Sequence, residues 1–399
     1  MNIPWYKKRY PGCNGCLLIP LLIFLLFPFL LAPVRQASMS LCAKKRHTGV
    51  QRRVTMCMGD AAHTGVFPVQ SVRRFGSVLW SAKLQYKVLH SCIVADEDAV
   101  YFSDDWDKPY AFDRSSGTRK WAFEYNEART SPTIVDDAVY VGGTSKQLFG
   151  INRKTGAVLW KWHWLSIAEM PITSYLTASG DSFYFGTGTG EVFSVDIETA
   201  ATNWHFKTGD AVQASPAAAD GFVYVASRDG NLYALTAANG KVKWTFTANG
   251  PLASSPVVAG SLVLFRNESG NLTAVNAENG ALEWNFAVNS ETRSAPAVLD
   301  DTAFFGDETG RFFAVDVRTG AEKWHVTVEG GIYSAAVIAD GIVYFGSRDK
   351  HLYAIEAATG ELMWKYETSG AVDVSPAVAD NLVVVADSEG MIYAIVQHE

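Results

Sequence analysis

Residues 314–324 read Ala-Val-Asp-Val-Arg-Thr-Gly-Ala-Glu-Lys-Trp, and the framework of this stretch returns along most of the chain. It begins with a small residue, carries a glycine four residues before its end and closes on a tryptophan. The equivalent tryptophans are separated by 41, 39, 44, 40, 40, 40 and 40 residues. They are Trp80, Trp121, Trp160, Trp204, Trp244, Trp284, Trp324 and Trp364. A period of this length indicates a repeat architecture.

Each repeat is predicted to contain four short strands. In the repeat that ends at Trp244, the pairs Asp220-Gly221, Asp229-Gly230 and Asn239-Gly240 separate apolar runs that alternate with period two. Asp-Gly and Asn-Gly favour tight hairpins because they tolerate positive φ, and alternation is typical of half-buried strands. Eight such units arranged radially predict an all-β fold, an eight-bladed β-propeller of four-stranded antiparallel blades.

The two ends of the chain complement each other. The last repeat stops at residues 391–395, before any Gly-x-x-x-Trp strand, and the missing strand stands at residues 76–80. We therefore expect the N-terminal strand to close the last blade. The predicted organisation is a signal anchor or signal peptide over 1–38, a basic linker and lead-in segment over 39–75, and the propeller over 76–399.

The N-terminal region predicts one hydrophobic helix. Residues 17–34 are apolar and uncharged, and Lys7-Lys8-Arg9 precedes them. About 18 apolar residues lie at the lower end of what spans a bilayer, so we expect membrane tethering or export. Six positive residues between Arg35 and Arg53 conflict with export by the positive-inside rule. Cleavage of the segment and a start at a later methionine both stay open.

The charge distribution argues against nucleic acid as a partner. The chain carries a net charge of −7, but residues 1–76 hold eleven Lys or Arg and one acid. The remainder therefore has 23 basic and 40 acidic residues, and such a body repels phosphates. Of the five cysteines only Cys92 lies in the repeat region, so we expect no disulfide to hold the fold together.

The eleven-residue motif resembles the tryptophan-docking motif of propellers of the pyrroloquinoline quinone (PQQ) type, and residues 59–66 resemble their lead-in segment. One branch of that family, the quinoprotein dehydrogenases, holds PQQ and calcium over the channel. Its vicinal cysteine pair is absent here, and intervals near 40 residues leave little loop for an active site. The other branch is the BamB family, non-enzymatic periplasmic propellers that scaffold the assembly of outer-membrane β-barrels. The chain resembles this branch in its overall size and its short blades.

The resemblance to the BamB branch implies a non-enzymatic scaffold without a cofactor. It would be exported or membrane-tethered, on the extracytoplasmic (periplasmic) side of the cell envelope, with protein partners there. Two alternatives stay open: a PQQ-binding quinoprotein oxidoreductase and a small-ligand sensor propeller. The residues show no nucleophile–base constellation, phosphate loop or metal-ligand spacing.

The repeat tryptophans are predicted to be structural, each packing on the neighbouring blade with its indole N–H bonded to backbone. Functional contacts are expected instead at loop ends near the channel, where the repeats diverge just before the Ser-Pro step. The residues at this step are Arg129, Gln213, Ala253, Arg293, Ile332 and Asp373. Arg129, Gln213, Arg293 and Asp373 are the candidate partner or ligand contacts. Trp164, in the largest insertion, is a candidate interface residue, whereas Trp162 is expected in the core.

Overall fold

The computed structural model divides the chain into two units, residues 1–50 and residues 51–399, and the second is described below. The described residues are 52–88, 91–106, 108–123, 130–143, 147–163, 171–252, 254–288, 290 and 294–397. The predicted hydrophobic helix over 1–38 lies outside these ranges. Within them, no helix has the length and apolarity that a membrane crossing needs.

Three strands precede the first blade: β1 (Val54–Thr55), β2 (Val66–Phe67) and β3 (Ser77–Lys83). Blade 1 contains β4 (Val94–Ala95), β5 (Ala99–Ser103), β6 (Pro109–Asp113) and β7 (Arg119–Ala122). Blade 2 contains β8 (Thr133–Val135), β9 (Ala138–Gly142), β10 (Gln147–Asn152) and β11 (Val158–His163). Blade 3 contains β12 (Thr177–Ser179), β13 (Ser182–Gly186), β14 (Glu191–Asp196) and β15 (Thr202–Lys207). Blade 4 contains β16 (Ala217–Ala219), β17 (Phe222–Ala226), β18 (Asn231–Thr236) and β19 (Val242–Thr247).

Blade 5 contains β20 (Val257–Ala259), β21 (Leu262–Arg266), β22 (Leu272–Asn276) and β23 (Leu282–Phe286). Blade 6 contains β24 (Ala297–Leu299), β25 (Thr302–Gly306), β26 (Arg311–Asp316) and β27 (Glu322–Thr327). Blade 7 contains β28 (Val337–Ala339), β29 (Ile342–Gly346), β30 (His351–Glu356) and β31 (Leu362–Glu367). Blade 8 contains β32 (Ala377–Ala379), β33 (Leu382–Ala386) and β34 (Met391–Val396).

The sheet topology confirms an eight-bladed propeller closed by its N-terminal strand. Strands within a blade pair antiparallel in chain order, and β3 pairs with β34 as the outer strand of blade 8, with Trp80 opposite Ala394. The first strands of neighbouring blades contact one another around the central channel, including β32 of blade 8 against β4 of blade 1. The ring is therefore closed by hydrogen bonding between the two ends of the repeat region.

The sequence predicts a backbone bond for the indole of every repeat tryptophan; six of the eight make one, whereas the buried Nε1–H of Trp324 has no partner among the described residues. The Trp244 indole packs on Gly280 of the next blade, where φ is 74° and an added Cβ would lie 2.7 Å from the ring. Its Nε1–H donates to the carbonyl of Ala277 at 2.9 Å. Five more tryptophans donate to backbone carbonyls in the same way, at 2.7 to 2.8 Å: Trp80, Trp121, Trp204, Trp284 and Trp364. Trp162 is buried, also as expected.

The segment before β3 crosses the channel rather than leading straight into the first blade. Strand β1 pairs antiparallel with β8 of blade 2, and β2 pairs parallel with β28 of blade 7. We call residues 52–67 the lead-in. Between β1 and β2, its carbonyl oxygens accept hydrogen bonds from backbone N–H groups of successive inner strands. The bonds are Ala218 to Ala61 at 2.6 Å, Val258 to Ala62 at 2.9 Å, Val298 to Thr64 at 2.7 Å and Ile338 to Gly65 at 2.8 Å.

A disulfide joins this lead-in to blade 1, a cross-link that the sequence did not predict. Cys57 and Cys92 are bonded, with their Cα atoms 5.8 Å apart. The sequence pattern pointed only to Cys92, because Cys57 lies outside the repeats, and strand pairing rather than this bond builds the blades. Cys57 lies 35 residues upstream, in the lead-in, whose strands pair with inner strands of blades 2 and 7.

Candidate functional site

The channel mouth is built by the Ser-Pro steps that begin the inner strands. The Ser215 hydroxyl accepts the Tyr175 N–H at 3.0 Å, and the Ser255 hydroxyl accepts the Ser215 N–H at 2.9 Å. The Ser375 hydroxyl accepts the Ala335 N–H at 2.9 Å. Each serine therefore joins its blade to the preceding one, so the loop ends around the mouth sit on a hydrogen-bonded frame.

A cavity of about 810 Å³ opens at this mouth. Its wall combines hydroxyl groups, small apolar side chains and two tyrosines, contributed by residues from the blades around the ring. The lining residues include Ser91, Thr130, Ile172, Thr173, Tyr175, Gln213, Ser215, Ser255, Ser294, Ala295, Tyr333, Ala335, Arg348, Asp373, Val374 and Ser375. A cavity of this size holds a small molecule or a few residues of a partner chain.

The lead-in forms the floor of the cavity. Cys57, Met58 and Cys92 line it, and they pack with Ala295 and Ala335 in one apolar cluster. Because residues 54–67 pair with inner strands of blades on both sides of the channel, the cavity ends at this floor.

His63 anchors the lead-in below the floor. Its side chain is buried, with Nδ1 3.2 Å from the Pro256 carbonyl and Nε2 2.9 Å from Thr177 Oγ1. A carbonyl only accepts, so Nδ1 carries the proton of the neutral ring. Burial lowers the pKa of His63 to about 4, and the nearby Asp60 carboxylate opposes this shift. The imidazole is therefore neutral near pH 7.

Charged side chains around the mouth repeat at 40-residue intervals in the turns between the second and third strands. They are Arg228, Glu268, Glu308 and Arg348, and we call them the charged ring. Arg228 pairs with Glu268 at 2.6 Å. The charged ring therefore presents both signs of charge. Backbone hydrogen bonds to neighbouring loops hold the turns that carry it.

One side of the charged ring forms a continuous network with a predicted contact residue. The Arg348 guanidinium stacks on Tyr333, with 3.9 Å from Cζ to the ring centre, and donates to Asp373 at 2.9 Å. Tyr333 donates in turn to Glu308 at 3.1 Å. The hydrogen bond to Asp373 raises the pKa of Arg348 above its ordinary value. This network links blades 6, 7 and 8 at the mouth.

A buried arginine, Arg266, hydrogen-bonds to Ser294 on the wall of the cavity. Arg266 ends β21 at a position where other blades have small residues such as Gly306 and Gly346. Its guanidinium is fully buried and donates to the carbonyls of Gly270 and Gly306, at 2.9 Å each, and to Ser294 Oγ at 3.3 Å. It also stacks on Phe305 at 4.6 Å. Burial lowers the pKa of Arg266 to about 9, so the group stays charged near neutral pH.

The predicted contact residues are only partly within the described part of the chain. Gln213 and Asp373 both line the cavity. Arg129, Arg293 and Trp164 lie outside the described residues, so their roles stay predictions. Ile332 does not belong with them: its side chain is fully buried in the core. Tyr333, one residue later, faces the cavity in its place, because the blade 7 step reads Ala-Ala and obscures the alignment.

Sequence reasoning missed the charged ring. In turns such as Arg228-Asp229-Gly230, the Asp and Gly residues predict a tight hairpin and draw attention away from the charged residue before them. The signal was the position just before them, since Ser-Arg-Asp occurs at both 227–229 and 347–349. A fixed position that carries arginine in some repeats and glutamate in others indicates paired charges.

In the described part of the mouth, an anionic quinone would meet arginines that already have carboxylate partners. Arg228 and Arg348 are already paired with Glu268 and Asp373. Within the described ranges, no group of three or more His, Cys, Asp or Glu side chains is placed to hold a metal ion. A bound quinone carboxylate would therefore compete with existing ion pairs.

Comparison with solved structures gives the same fold. BamB from Moraxella catarrhalis matches with a TM-score of 0.65 at 20% identity, over 81% of this chain and 98% of that one. A europium-containing methanol dehydrogenase matches with a TM-score of 0.72 at 11% identity, over 86% and 97%. The computationally designed protein Ika8 also matches, with a TM-score of 0.72 at 17% identity, over 80% and 100%.

Sequence comparison finds similarity to both branches. A quinoprotein ethanol dehydrogenase from Pseudomonas putida is 30% identical over 103 residues, which are 23% of this chain and only 16% of that enzyme. A family model matches at residues 69–205, 188–331 and 327–399, spanning the whole repeat region. By that match, the chain belongs to the family described as outer membrane protein assembly factor BamB.

Proposed function

We propose that the chain is a non-enzymatic scaffold of the cell envelope, which docks a protein partner at its channel mouth during outer-membrane protein assembly. The observation that carries the proposal is the charged ring on its rigid frame. Its member Arg348 lines the open cavity together with Gln213 and Asp373, and Arg228 lies 3.4 Å from the Gln213 side-chain oxygen. The family description supports the same role.

The rim network suits protein recognition. Arg348 is about half exposed and Asp373 about one fifth exposed, so both can exchange partners with charges on an approaching surface. Charge complementarity at a rim gives specificity and speeds association, while a neighbouring pocket accepts an anchoring side chain. The mouth offers both features within one surface.

The proposed location is the extracytoplasmic side of the envelope. The Cys57–Cys92 bond supports it, because disulfides form and persist in oxidising compartments. Tethering or export through residues 17–34 is part of the proposal, and these residues lie outside the described ranges. No catalytic step is proposed, and protein is the expected partner.

The test is affinity capture from cross-linked membranes of the native host, with partners identified by mass spectrometry. Arg348→Glu reverses a charge at the mouth and should remove barrel-assembly components from the capture. The matched control is Arg318→Glu, an exposed arginine paired with Asp301 in a turn at the opposite end of its blade. Equal recovery with both variants would contradict docking at the mouth, and recovery of no assembly component by the unaltered chain would refute the scaffold role.

A second candidate is a PQQ-binding oxidoreductase or small-ligand sensor, and the observation that favours it is the 810 Å³ cavity. The local similarity to a quinoprotein ethanol dehydrogenase points the same way. Purified protein titrated with PQQ and calcium tests it. Saturable binding at the mouth, lost in Tyr333→Ala, together with quinone-dependent dye reduction, would replace the scaffold proposal.

A further inference from the structure

The only disulfide among the described residues lies on the floor of the mouth cavity, on the side that faces the open end of the channel. Cys57 and Cys92 line the floor of the cavity and keep 8% and 6% of their surface exposed. Tyr175 and Ala335, which also line the cavity, pack against the same cluster. The bond is therefore recessed below a mouth that opens to solvent.

Access to this bond depends on size. A cavity of about 810 Å³ admits a thiol as large as a tripeptide, whereas a folded protein cannot enter it. The lead-in covers the other side, since β1 and β2 pair with inner strands of blades 2 and 7.

We propose that the Cys57–Cys92 disulfide is a modification site for low-molecular-weight thiols, which reach it through the channel mouth. The thiolate attacks one sulfur, so that a new S–S bond joins it to that cysteine as the Cys57–Cys92 bond breaks. The other cysteine leaves as a thiolate and takes a proton from water. A second small thiolate attacks the mixed disulfide, leaving two protein thiols and the oxidised small thiol.

The modified protein keeps its fold, because other contacts hold the lead-in. Backbone bonds to Ala61, Ala62, Thr64 and Gly65 connect it to four blades, and His63 bonds to two. Opening the disulfide frees only the turn around Cys57 from blade 1. The proposal therefore concerns a reaction of the native protein, and it is independent of the scaffold function.

The first experiment compares thiols of different size on the full chain carrying Cys13→Ser, Cys16→Ser and Cys42→Ser. Glutathione and a thiol on a long polyethylene glycol chain are each added to native protein, and the disulfide is followed by alkylation and mass spectrometry. We expect glutathione to react at least about tenfold faster than the polymer thiol, and equal reactivity in denaturant. Circular dichroism confirms that the reacting protein is folded. Equal native rates, or no reaction before unfolding, would overturn the proposal.

The second experiment blocks the approach. Ala335→Trp places an indole in the cavity, and Ala281→Trp, on an exposed turn of blade 5, is the matched control. The glutathione rate should fall by about tenfold in the first and stay unchanged in the second. Should Ala335→Trp fail to fold, Gln213→Trp at the rim provides the same block with less disturbance of the core. An unchanged rate in a folded cavity variant would show that the thiol enters by another route.

Discussion

At the scale of single residues, the wall of the mouth cavity contacts a side chain that is both charged and buried. Arg266 is an example, since a guanidinium out of water is costly unless its donors are satisfied. Here carbonyls of Gly270 and Gly306 accept from it, and Ser294 on the cavity wall accepts as well. The residue thus connects the core of blades 5 and 6 to the surface that we propose as functional.

Replacing Arg266 with methionine should destabilise the protein by about 2–4 kcal/mol, because the buried carbonyl groups lose their donors. Chemical denaturation measures the difference. Arg318→Met is the control: its guanidinium is exposed and paired at 2.7 Å, so the expected change is within about 0.5 kcal/mol. Equal denaturation midpoints for the two variants would show that the Arg266 bonds contribute nothing net.

The repeat tryptophans offer a matched pair for measuring one hydrogen bond. Trp244 donates to Ala277 at 2.9 Å, whereas the buried Nε1–H of Trp324 finds no partner in the part of the chain that the structure describes. Both Trp→Phe changes remove similar ring volume, so Trp244→Phe should cost about 1 kcal/mol more in the free energy of unfolding. Thermal and denaturant unfolding of the two variants checks this. A larger loss for Trp324→Phe would mean that packing, not the hydrogen bond, decides the contribution of the ladder.

At the scale of elements, predictability followed the repeat. The tryptophan spacing predicted the blades because its local pattern recurs eight times, and the one strand missing from the last repeat, found at residues 76–80, predicted the closure. The course of the lead-in could not be predicted, since residues 52–67 have no counterpart elsewhere in the chain and bond to strands that lie from about 80 to about 270 residues away. The Cys57–Cys92 bond and the position of His63 follow from that course.

The pH dependence of stability should report how the lead-in is anchored. The folded-state pKa of His63 is about 4, below the ordinary value of 6.5, so the unfolded chain binds the extra proton first as pH falls. The contribution is fully present above pH 6.5 and is lost between pH 6.5 and 4, by up to about 3 kcal/mol. Denaturation of His63→Gln should lack this loss, while the exposed His163→Gln keeps it. An unchanged pH profile in His63→Gln would contradict the assignment to this residue.

At the scale of the whole molecule, two sets of contacts close the circle of eight blades. Strand β3 completes blade 8, and the lead-in touches inner strands on both sides of the channel from within. Without β3, the edge of β34 would expose unpaired backbone groups beside an apolar core, and open edges promote association between chains. Closure therefore serves solubility as well as stability.

The last prediction concerns this closure. A chain beginning at Arg52 should stay monomeric with one cooperative thermal transition, whereas a chain beginning at Leu84 should self-associate through β34. Sedimentation velocity distinguishes the two, and circular dichroism follows the transition. Adding a synthetic peptide of residues 52–88 should return the shorter chain to a monomer, because the peptide supplies both β3 and the lead-in. If the shorter chain is monomeric and unfolds at the same temperature, blade 8 does not need its N-terminal strand, and closure must come from contacts between inner strands alone.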